Sequence, residues 1–278
     1  MDQGKELIKL ALFGQPVKSS LSPAIHRMFA VQVGLDIEYR LIEPEIGHFP
    51  RALEEFRSAG GVGCNITLPF KRDAWKLAAG ASPEVSQAQA ANTLVLQESG
   101  WFAHTTDGAG LIADLTGNHG LGISGLRVLI LGAGGAAAGI LGSLLAENPQ
   151  QIILVNRNLE RARSLSERFE ASGKVSVTSW SELSGQSAFN LVINATSLGH
   201  KGEAPPINTS SFAEGGLCYD MNYFKASQPL KKLCEDMHRP YIDGLGMLVE
   251  QAAKSFSIWT SKMPKTPAVI EAVRREAG

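Results

Sequence analysis

The fold is decided by residues 127–145, which read RVLILGAGGAAAGILGSLL. Four of the first five are apolar, as in a buried strand, and the last ten are small or aliphatic, as in a helix. Between them lies a G-x-G-x-x-A turn from Gly132 to Ala137. Glycine allows the backbone of such a turn to come close to a pyrophosphate, and the helix N-terminus supplies unpaired N–H donors. The segment therefore predicts a strand, a phosphate-binding turn and a helix.

Short apolar runs alternate with helix-length amphipathic segments on both sides of this turn, which predicts an α/β fold with mainly parallel sheets. Strands are expected at residues 7–13, 37–42, 62–66, 93–96, 151–155, 174–177, 190–193 and 217–221. Helices are expected at residues 23–33, 49–59, 159–170 and 229–237, and then from 245 through 278.

The length of 278 residues favours two modest domains over one large domain. We expect a first α/β domain at 1–107 and a doubly wound Rossmann domain that binds a dinucleotide at 108–242. C-terminal helices at 243–278 are expected to pack back on the first domain. A Gly-rich polar stretch at 117–125 indicates a nearby hinge, and two domains imply a cleft.

The composition excludes several classes of protein. Hydrophobic residues make up 44% and charged residues 19%, enough for real cores, and a net charge of -1 gives no field to attract nucleic acid or an anionic membrane. No apolar run reaches the roughly 20 residues that span a bilayer, so we expect a cytoplasmic protein. The three cysteines and six histidines lack disulfide or metal-ligand spacing, so no metal is expected.

The cofactor is indicated by the residues after the expected strand at 151–155. NAD-binding domains usually carry an acidic residue there, which bonds the ribose 2′-OH. This chain has Asn156-Arg157-Asn158 instead, with Arg161 one helical turn later. An amide does not repel a 2′-phosphate, and arginine forms charge-assisted bonds to it. The alternative interpretation is that the two arginines are simply exposed and solvated. We expect NADP as the cofactor.

A dehydrogenase that acts on an alcohol must also move a proton, for which it needs a positioned acid or base. Lys71 ends the segment Asn65-Ile66-Thr67-Leu68-Pro69-Phe70-Lys71, which follows a predicted buried strand. Ligands of α/β sheets bind at such strand ends. A lone lysine is nevertheless more often a solvated cation.

A series of separated motifs resembles the shikimate dehydrogenase family, in one order along most of the chain. They are Ser20-Leu21-Ser22-Pro23, the segment ending at Lys71, Ala91-Asn92-Thr93, Thr106-Asp107-Gly108, the glycine turn at Gly132, Asn156-Arg157, Asn194-Ala195-Thr196-Ser197, Tyr219-Asp220-Met221 with Tyr223, and residues 243–249 (DGLGMLV) with Gln251. Any one of these motifs alone would mean little.

The resemblance implies an oxidoreductase that reversibly reduces 3-dehydroshikimate to shikimate with NADPH, in the chorismate pathway of aromatic amino acid biosynthesis. Lys71 would donate or accept the proton, and Asp107 would orient it and bond a ring hydroxyl. The implied substrate-binding residues are Ser20, Ser22, Thr67, Lys71, Asn92, Asp107, Tyr223 and Gln251. The implied cofactor-binding residues are Gly132, Ala133, Gly134, Gly135, Ala136, Asn156, Arg157, Asn158, Arg161, Thr196, Ser197, Met221, Gly244 and Met247.

Ser22 precedes Pro23, the pattern of a helix N-cap, so we expect Ser22 to cap a helix while it and Ser20 hold the substrate carboxylate. The chain departs from the family pattern at Thr105, commonly asparagine, and at Asn158, commonly threonine.

Three other functions are compatible with the sequence. A quinate/shikimate dehydrogenase would use quinate or NAD, and a non-catalytic dinucleotide sensor would bind NADPH without turnover. A folate dehydrogenase would need room for a large pterin, whereas the two serines favour a small carboxylate. We expect a monomer or a homodimer.

Overall fold

The computed structural model describes residues 7–277. Residues 1–6 of the expected first domain and Gly278 of the expected C-terminal helix lie outside the described residues. The chain forms two compact units. The first unit takes the chain up to Gly110 and again from Val249–Glu276, and the second unit is Leu111–Leu248. Within the described residues, no helix has both the length and the apolar character to cross a membrane.

The first unit is built on a mixed sheet with the strand order β2-β1-β3-β5-β6-β4. Strands β1, β2 and β3 are parallel, whereas β5 runs antiparallel to both β3 and β6. The strands are β1 (Ile8–Phe13), β2 (Ile37–Ile42), β3 (Gly61–Ile66), β4 (Gly80–Ala81), β5 (Thr93–Gln97) and β6 (Gly100–His104).

Helices of the first unit cover this sheet with apolar faces. They are α1 (Ser22–Val33), α2 (Phe49–Ser58), α3 (Lys71–Leu77), α4 (Pro83–Ala88) and α5 (Asp107–Ile112), the last of which runs on into the second unit. Helix α2 shows the principle, because Phe49, Leu53 and Phe56 recur at helical spacing and are buried. The rings of Phe49 and Phe56 pack edge-on against Phe13 of β1, with centroids 5.6 and 5.7 Å away.

The second unit contains a parallel sheet with the strand order β12-β11-β10-β7-β8-β9. The strands are β7 (Arg127–Leu131), β8 (Gln151–Val155), β9 (Val175–Thr178), β10 (Phe189–Asn194), β11 (Phe212–Asp220) and β12 (Tyr241–Asp243). The helices are α6 (Gly135–Ala146), α7 (Leu159–Glu167) and α8 (Gln228–Asp236). The strand order reverses between β7 and β10, as in doubly wound sheets that bind dinucleotides at that point. The predicted Rossmann architecture is confirmed.

Two C-terminal helices follow, α9 (Leu245–Thr260) and α10 (Pro267–Ala277). From Val249 onward, α9 belongs to the first unit. There the Trp259 indole donates to the Leu94 carbonyl over 2.9 Å, and Gln32 Nε2 of α1 donates to the Lys265 carbonyl over 3.1 Å. The expected packing of the C-terminal helices on the first domain is therefore confirmed for Val249–Glu276, whereas residues 243–248 belong to the second unit.

The first sheet departs from the expected parallel pattern in its second half. Strand β6 was not predicted; it pairs with β5 across a two-residue turn at Glu98 and Ser99, and Gly100 then takes a φ of 117°. Such a short turn can only join antiparallel strands. Strands β4 and β12 were also missed, because two or three residues give too little periodicity to recognise.

Candidate active site

A lysine and an aspartate from two helix starts meet in the first unit. Lys71 opens α3, just after β3, and Asp107 opens α5. The Lys71 Nζ contacts Asp107 Oδ2 in an ion pair, and the two side chains are only 13% and 10% exposed. Because little water screens the pair, the ammonium is held firmly in one place. The two residues that the sequence singled out for proton transfer are thus adjacent.

Asn92 fixes the other side of the Asp107 carboxylate. Its Nδ2 donates to Asp107 Oδ1 over 2.9 Å and to Thr106 Oγ1 over 2.8 Å. Its Oδ1 accepts from the Thr106 backbone N–H over 2.8 Å. Since Lys71 and Asn92 hold different oxygens, the carboxylate cannot rotate without losing a bond. The arrangement sets the direction in which Lys71 points.

Helix α9 adds further polar groups to this cluster. Gln251 Oε1 lies 3.2 Å from Asn92 Nδ2 and 3.3 Å from Thr106 Oγ1. One turn later, the Ser255 hydroxyl lies 3.1 Å from Thr106 Oγ1. The close approach of α9 to α5 depends on Gly110. An added Cβ there would lie 2.6 Å from Gln251 Cβ and 2.7 Å from its backbone nitrogen.

The two serines form a small group of their own. Ser20 Oγ accepts from the Ser22 backbone N–H over 3.2 Å, and the two hydroxyls are 3.1 Å apart. The expectation that Ser22 caps α1 is wrong. Leu21 already has helical dihedral angles, so the helix begins at Ser22 with no side-chain cap, and the Ser22 N–H is satisfied by Ser20 instead. The Ser22 hydroxyl is left for other partners.

Tyr39 and Asn65 connect the serines to the lysine cluster, and neither was predicted. The Ser22 hydroxyl bonds Tyr39, whose phenol donates to Asn65 Oδ1 over 2.8 Å. Asn65 Nδ2 in turn lies 3.2 Å from the Asn92 carbonyl oxygen and 3.0 Å from Ser255 Oγ. A polar residue inside the otherwise apolar strand β3 was the available signal for Asn65. Ser255 could have been found from its spacing of four residues after Gln251.

His26 contacts both Tyr39 and Asn65. Its ring stacks on Tyr39 with a centroid distance of 4.5 Å, and Nε2 lies 3.2 Å from Asn65 Oδ1. Burial lowers the pKa of His26 to about 3, and burial raises the pKa of Tyr39 well above its usual value. Both rings are therefore neutral over the physiological range, and the network between the serines and Asn92 carries no net charge from them.

The remaining predicted substrate residues lie in two places. Thr67 lies at the shared end of β1 and β3, where its methyl group would be 2.2 Å from a Cβ placed on Gly14. Tyr223 belongs to the second unit, just after β11, and burial raises its pKa. All of the predicted cofactor-binding residues also belong to the second unit.

The glycine turn after β7 has the shape that a pyrophosphate requires. Gly132 takes a φ of 105°, and an added Cβ there would lie 3.1 Å from the Ala195 carbonyl oxygen. Gly134 stands at the N-cap position of α6, and Ala137 is fully buried between helix and sheet. A Cβ at Gly132 would fill the space beside the backbone of this turn. The open backbone that glycine leaves there fits a dinucleotide phosphate.

The residues predicted to bind a 2′-phosphate lie after β8. Asn158 caps α7, its Oδ1 accepting from the Arg161 N–H over 3.1 Å, and Asn156 Nδ2 donates to the Asn158 carbonyl over 2.8 Å. A terminal nitrogen of Arg161 lies 3.8 Å from the place that a Cβ on Gly134 would take. Arg157 is exposed beside them. The Arg161 guanidinium thus stands next to the glycine turn, and the Asn156-Arg157-Asn158 segment that precedes it carries no carboxylate.

The other predicted cofactor residues lie at strand ends of the same sheet. Thr196 and Ser197 follow β10, Met221 follows β11, and Gly244 follows β12. Met247 is a buried residue of α9. An added Cβ at Gly244 would lie 2.6 Å from the Met221 carbonyl oxygen, so only glycine fits there. Among residues 7–277, no three His, Cys, Asp or Glu side chains form a group suited to a metal ion.

Comparison with known proteins covers almost the whole chain. Family models match the shikimate dehydrogenase substrate binding domain at residues 12–94, shikimate / quinate 5-dehydrogenase at 115–202, and the shikimate 5′-dehydrogenase C-terminal domain at 244–274. The NADP(+) shikimate dehydrogenase of Alkalilimnicola ehrlichii is 42% identical over 96% of this chain and 99% of its own length. That of Chromohalobacter salexigens is 43% identical, covering 96% and 98%.

Solved structures agree with these sequence matches. An Ael1 enzyme from Pseudomonas putida superposes with a TM-score of 0.88 at 36% identity, covering 95% of this chain and 97% of that one. Shikimate 5-dehydrogenase from Thermus thermophilus, in complex with NADP(H) and shikimate, has a TM-score of 0.83 at 30% identity, covering 96% and 99%. This chain belongs to the shikimate dehydrogenase family.

Proposed function

We propose that this protein catalyses the reversible NADPH-dependent reduction of 3-dehydroshikimate to shikimate, a step of aromatic amino acid biosynthesis. The observation that carries the proposal is the nearly buried Lys71–Asp107 ion pair, bordered by the neutral amides of Asn92 and Gln251. Relatives that are 40 to 43% identical carry the name of this activity.

Lys71 moves the proton in this proposal. In the reducing direction its ammonium donates a proton to the oxygen that becomes the hydroxyl, and in the oxidising direction its amine takes that proton back. NADPH, when bound, supplies the hydride. Asp107 keeps the amine aimed at one place, because Asn92 fixes the carboxylate that holds it. The Asp107 carboxylate also accepts a hydrogen bond from a ring hydroxyl of the substrate.

Substrate selection comes from neutral hydrogen-bonding groups. Ser20 and Ser22 bind the carboxylate with adjacent hydroxyls. The side chains of Thr67, Asn92, Tyr223 and Gln251 bind the ring hydroxyls. An analogue that lacks a hydroxyl would leave such groups unpaired, and sites of this type can reject it by about 10⁴-fold or more.

The second unit binds the cofactor. The glycine turn from Gly132 to Ala136 holds the pyrophosphate, and Arg157 and Arg161 bind the 2′-phosphate with help from the neighbouring amides of Asn156 and Asn158. The residues at the strand ends, Thr196, Ser197, Met221, Gly244 and Met247, line the nicotinamide. In terms of roles, residues 1–107 form the substrate and catalytic domain, 108–242 the dinucleotide domain, and 243–278 the returning helices.

The experiment that tests the proposal compares initial rates of oxidation for shikimate and quinate, each with NADP+ and with NAD+. We expect shikimate with NADP+ to be fastest by about tenfold or more over each other combination. Comparable rates with quinate, or a preference for NAD+, would identify a quinate/shikimate dehydrogenase instead. Binding of NADPH without turnover of either acid would indicate a non-catalytic sensor.

A further inference from the structure

Asp220 is a buried carboxylate that the proposed mechanism does not use. It ends β11, is 0% exposed, and its Oδ1 accepts from Asn194 Nδ2 over 2.9 Å, from the Asn222 backbone N–H over 3.0 Å and from Asn222 Nδ2 over 2.8 Å. Its Oδ2 accepts from the Tyr241 hydroxyl over 3.2 Å. All four partners are donors, which matches a group that in its ionised form only accepts.

These bonds form part of a closed ring of hydrogen bonds, which includes side chains and the backbone of Thr196. Because Asn194 turns its Nδ2 toward Asp220, its Oδ1 faces Thr196 and accepts from the Thr196 N–H over 3.1 Å and from its hydroxyl over 2.7 Å. Asn222 Nδ2 also reaches the Thr196 carbonyl oxygen over 3.1 Å. The carboxylate of Asp220 thus decides which way the Asn194 amide points, and with it the position of Thr196.

The ring also reaches the ends of the neighbouring strands. The Gly244 N–H donates to the Asn222 carbonyl over 2.9 Å, and the Met221 N–H donates to the Asn194 carbonyl over 3.0 Å. The loops that follow β10, β11 and β12 are therefore hydrogen-bonded to one another around the buried Asp220 carboxylate. Thr196, Met221 and Gly244, which the proposed function assigns to the nicotinamide, all lie on these loops.

We propose that Asp220 is a positioning residue for the nicotinamide end of the cofactor, acting through the ring with Asn194, Thr196 and Asn222. This inference rests on the proposed function for the assignment of that end. None of the four donors to Asp220 carries a charge, and burial raises the pKa of its carboxyl to about 6. The geometry of its oxygens, and not its charge, does the positioning.

The test measures binding by calorimetry with two ligands, NADP+ and adenosine 2′,5′-bisphosphate, which lacks the nicotinamide. Asp220→Ala should weaken NADP+ binding about tenfold, the loss of one or two hydrogen bonds, and leave the bisphosphate within about twofold. Asp220→Asn presents an amide oxygen to the same N–H donors, and the Tyr241 hydroxyl can accept from the new NH₂ while it donates to the Ser227 carbonyl, 3.3 Å away. It should therefore bind NADP+ within about threefold of the wild type.

The control is Leu230→Ala, which removes a buried apolar side chain from α8 of the same unit. It lowers stability and removes none of the hydrogen bonds of the ring, so both affinities should stay at the wild-type value. If Asp220→Ala does not fold, Asn194→Ala takes its place, with the same expected contrast between the two ligands.

Equal loss of both ligands in the alanine variant, or no loss of NADP+ affinity, would overturn the proposal. So would an Asp220→Asn protein that binds NADP+ as poorly as Asp220→Ala. The binding comparison does not require turnover. A wild-type protein inactive on shikimate would contradict the proposed function alone, and the ligand contrast would still decide the role of Asp220.

Discussion

Gly110→Ala tests how closely the active-site helices must approach each other. The glycine lies in α5, one turn after Asp107, and faces the backbone of Gln251 in α9. The added methyl carbon would lie 2.6 Å from Gln251 Cβ, 2.7 Å from its backbone nitrogen and 2.9 Å from its Cα. Ordinary contacts begin near 3.4 Å. No rotamer change relieves the overlap, because the atoms in the way are backbone atoms and a Cβ.

The helices must therefore separate by roughly 1 Å. The Gln251 Oε1 contacts of 3.2 and 3.3 Å to Asn92 and Thr106 would lengthen to about 4 Å and be lost. If α5 moves instead, Asp107 moves with it. Overpacking of this kind costs about 1 to 3 kcal/mol of stability. A displacement of about 1 Å in a catalytic site costs about 100-fold in rate.

The assay is kcat/KM for shikimate at saturating NADP+, with the affinity for NADP+ measured separately. We expect kcat/KM to fall about 100-fold and NADP+ affinity to stay within about twofold. Gly117→Ala is the matched control, because an added Cβ there meets nothing within 4 Å. Wild-type kcat/KM in a folded Gly110→Ala protein would refute the reasoning.

Two further predictions concern the cofactor and acid stability. Arg157→Ala should weaken NADP+ about tenfold or more and leave NAD+ nearly unchanged, because only NADP+ carries the 2′-phosphate; calorimetry that shows equal losses would contradict this. His26 has a folded pKa of about 3, below its usual 6.5, so the unfolded chain takes up the proton first and stability is lost as pH falls below about 6.5. Between pH 7 and about pH 4.5, urea unfolding should show that the free energy of unfolding falls by roughly 2 to 3 kcal/mol more in the wild type than in His26→Gln. Parallel losses in the two proteins would rule this out.

The parallel sheet of the second unit was predictable because its strands are apolar runs bounded by turns and separated by helix-length segments. Strand β8 was predicted at its observed bounds, 151–155. The local sequence pattern was misleading at the start of α1, where another nearby side chain bonds the backbone. Ser22 has the sequence pattern of an N-cap, but the neighbouring Ser20 takes over its N–H.

Most of the predicted site residues came from the family motifs, and the structure shows what the motifs do not state. Lys71 and Asp107 are 36 residues apart, and no local pattern indicates that they touch. Tyr39 and Ser255 lie outside the motifs altogether, because their role arises from packing across the sheet and α9. Asp220 lies within a motif, yet its bond to Asn194 depends on the alignment of β10 with β11.

The most direct measurement of the central claim is kcat for Lys71→Ala with shikimate and NADP+, together with the affinity for NADP+. The neighbouring exposed residue of α3 provides the control Lys76→Ala, which should behave as the wild type. If Lys71 moves the proton, its removal should lower kcat by about 10³-fold or more and leave NADP+ affinity within about twofold. Turnover at the wild-type rate in Lys71→Ala would contradict the account.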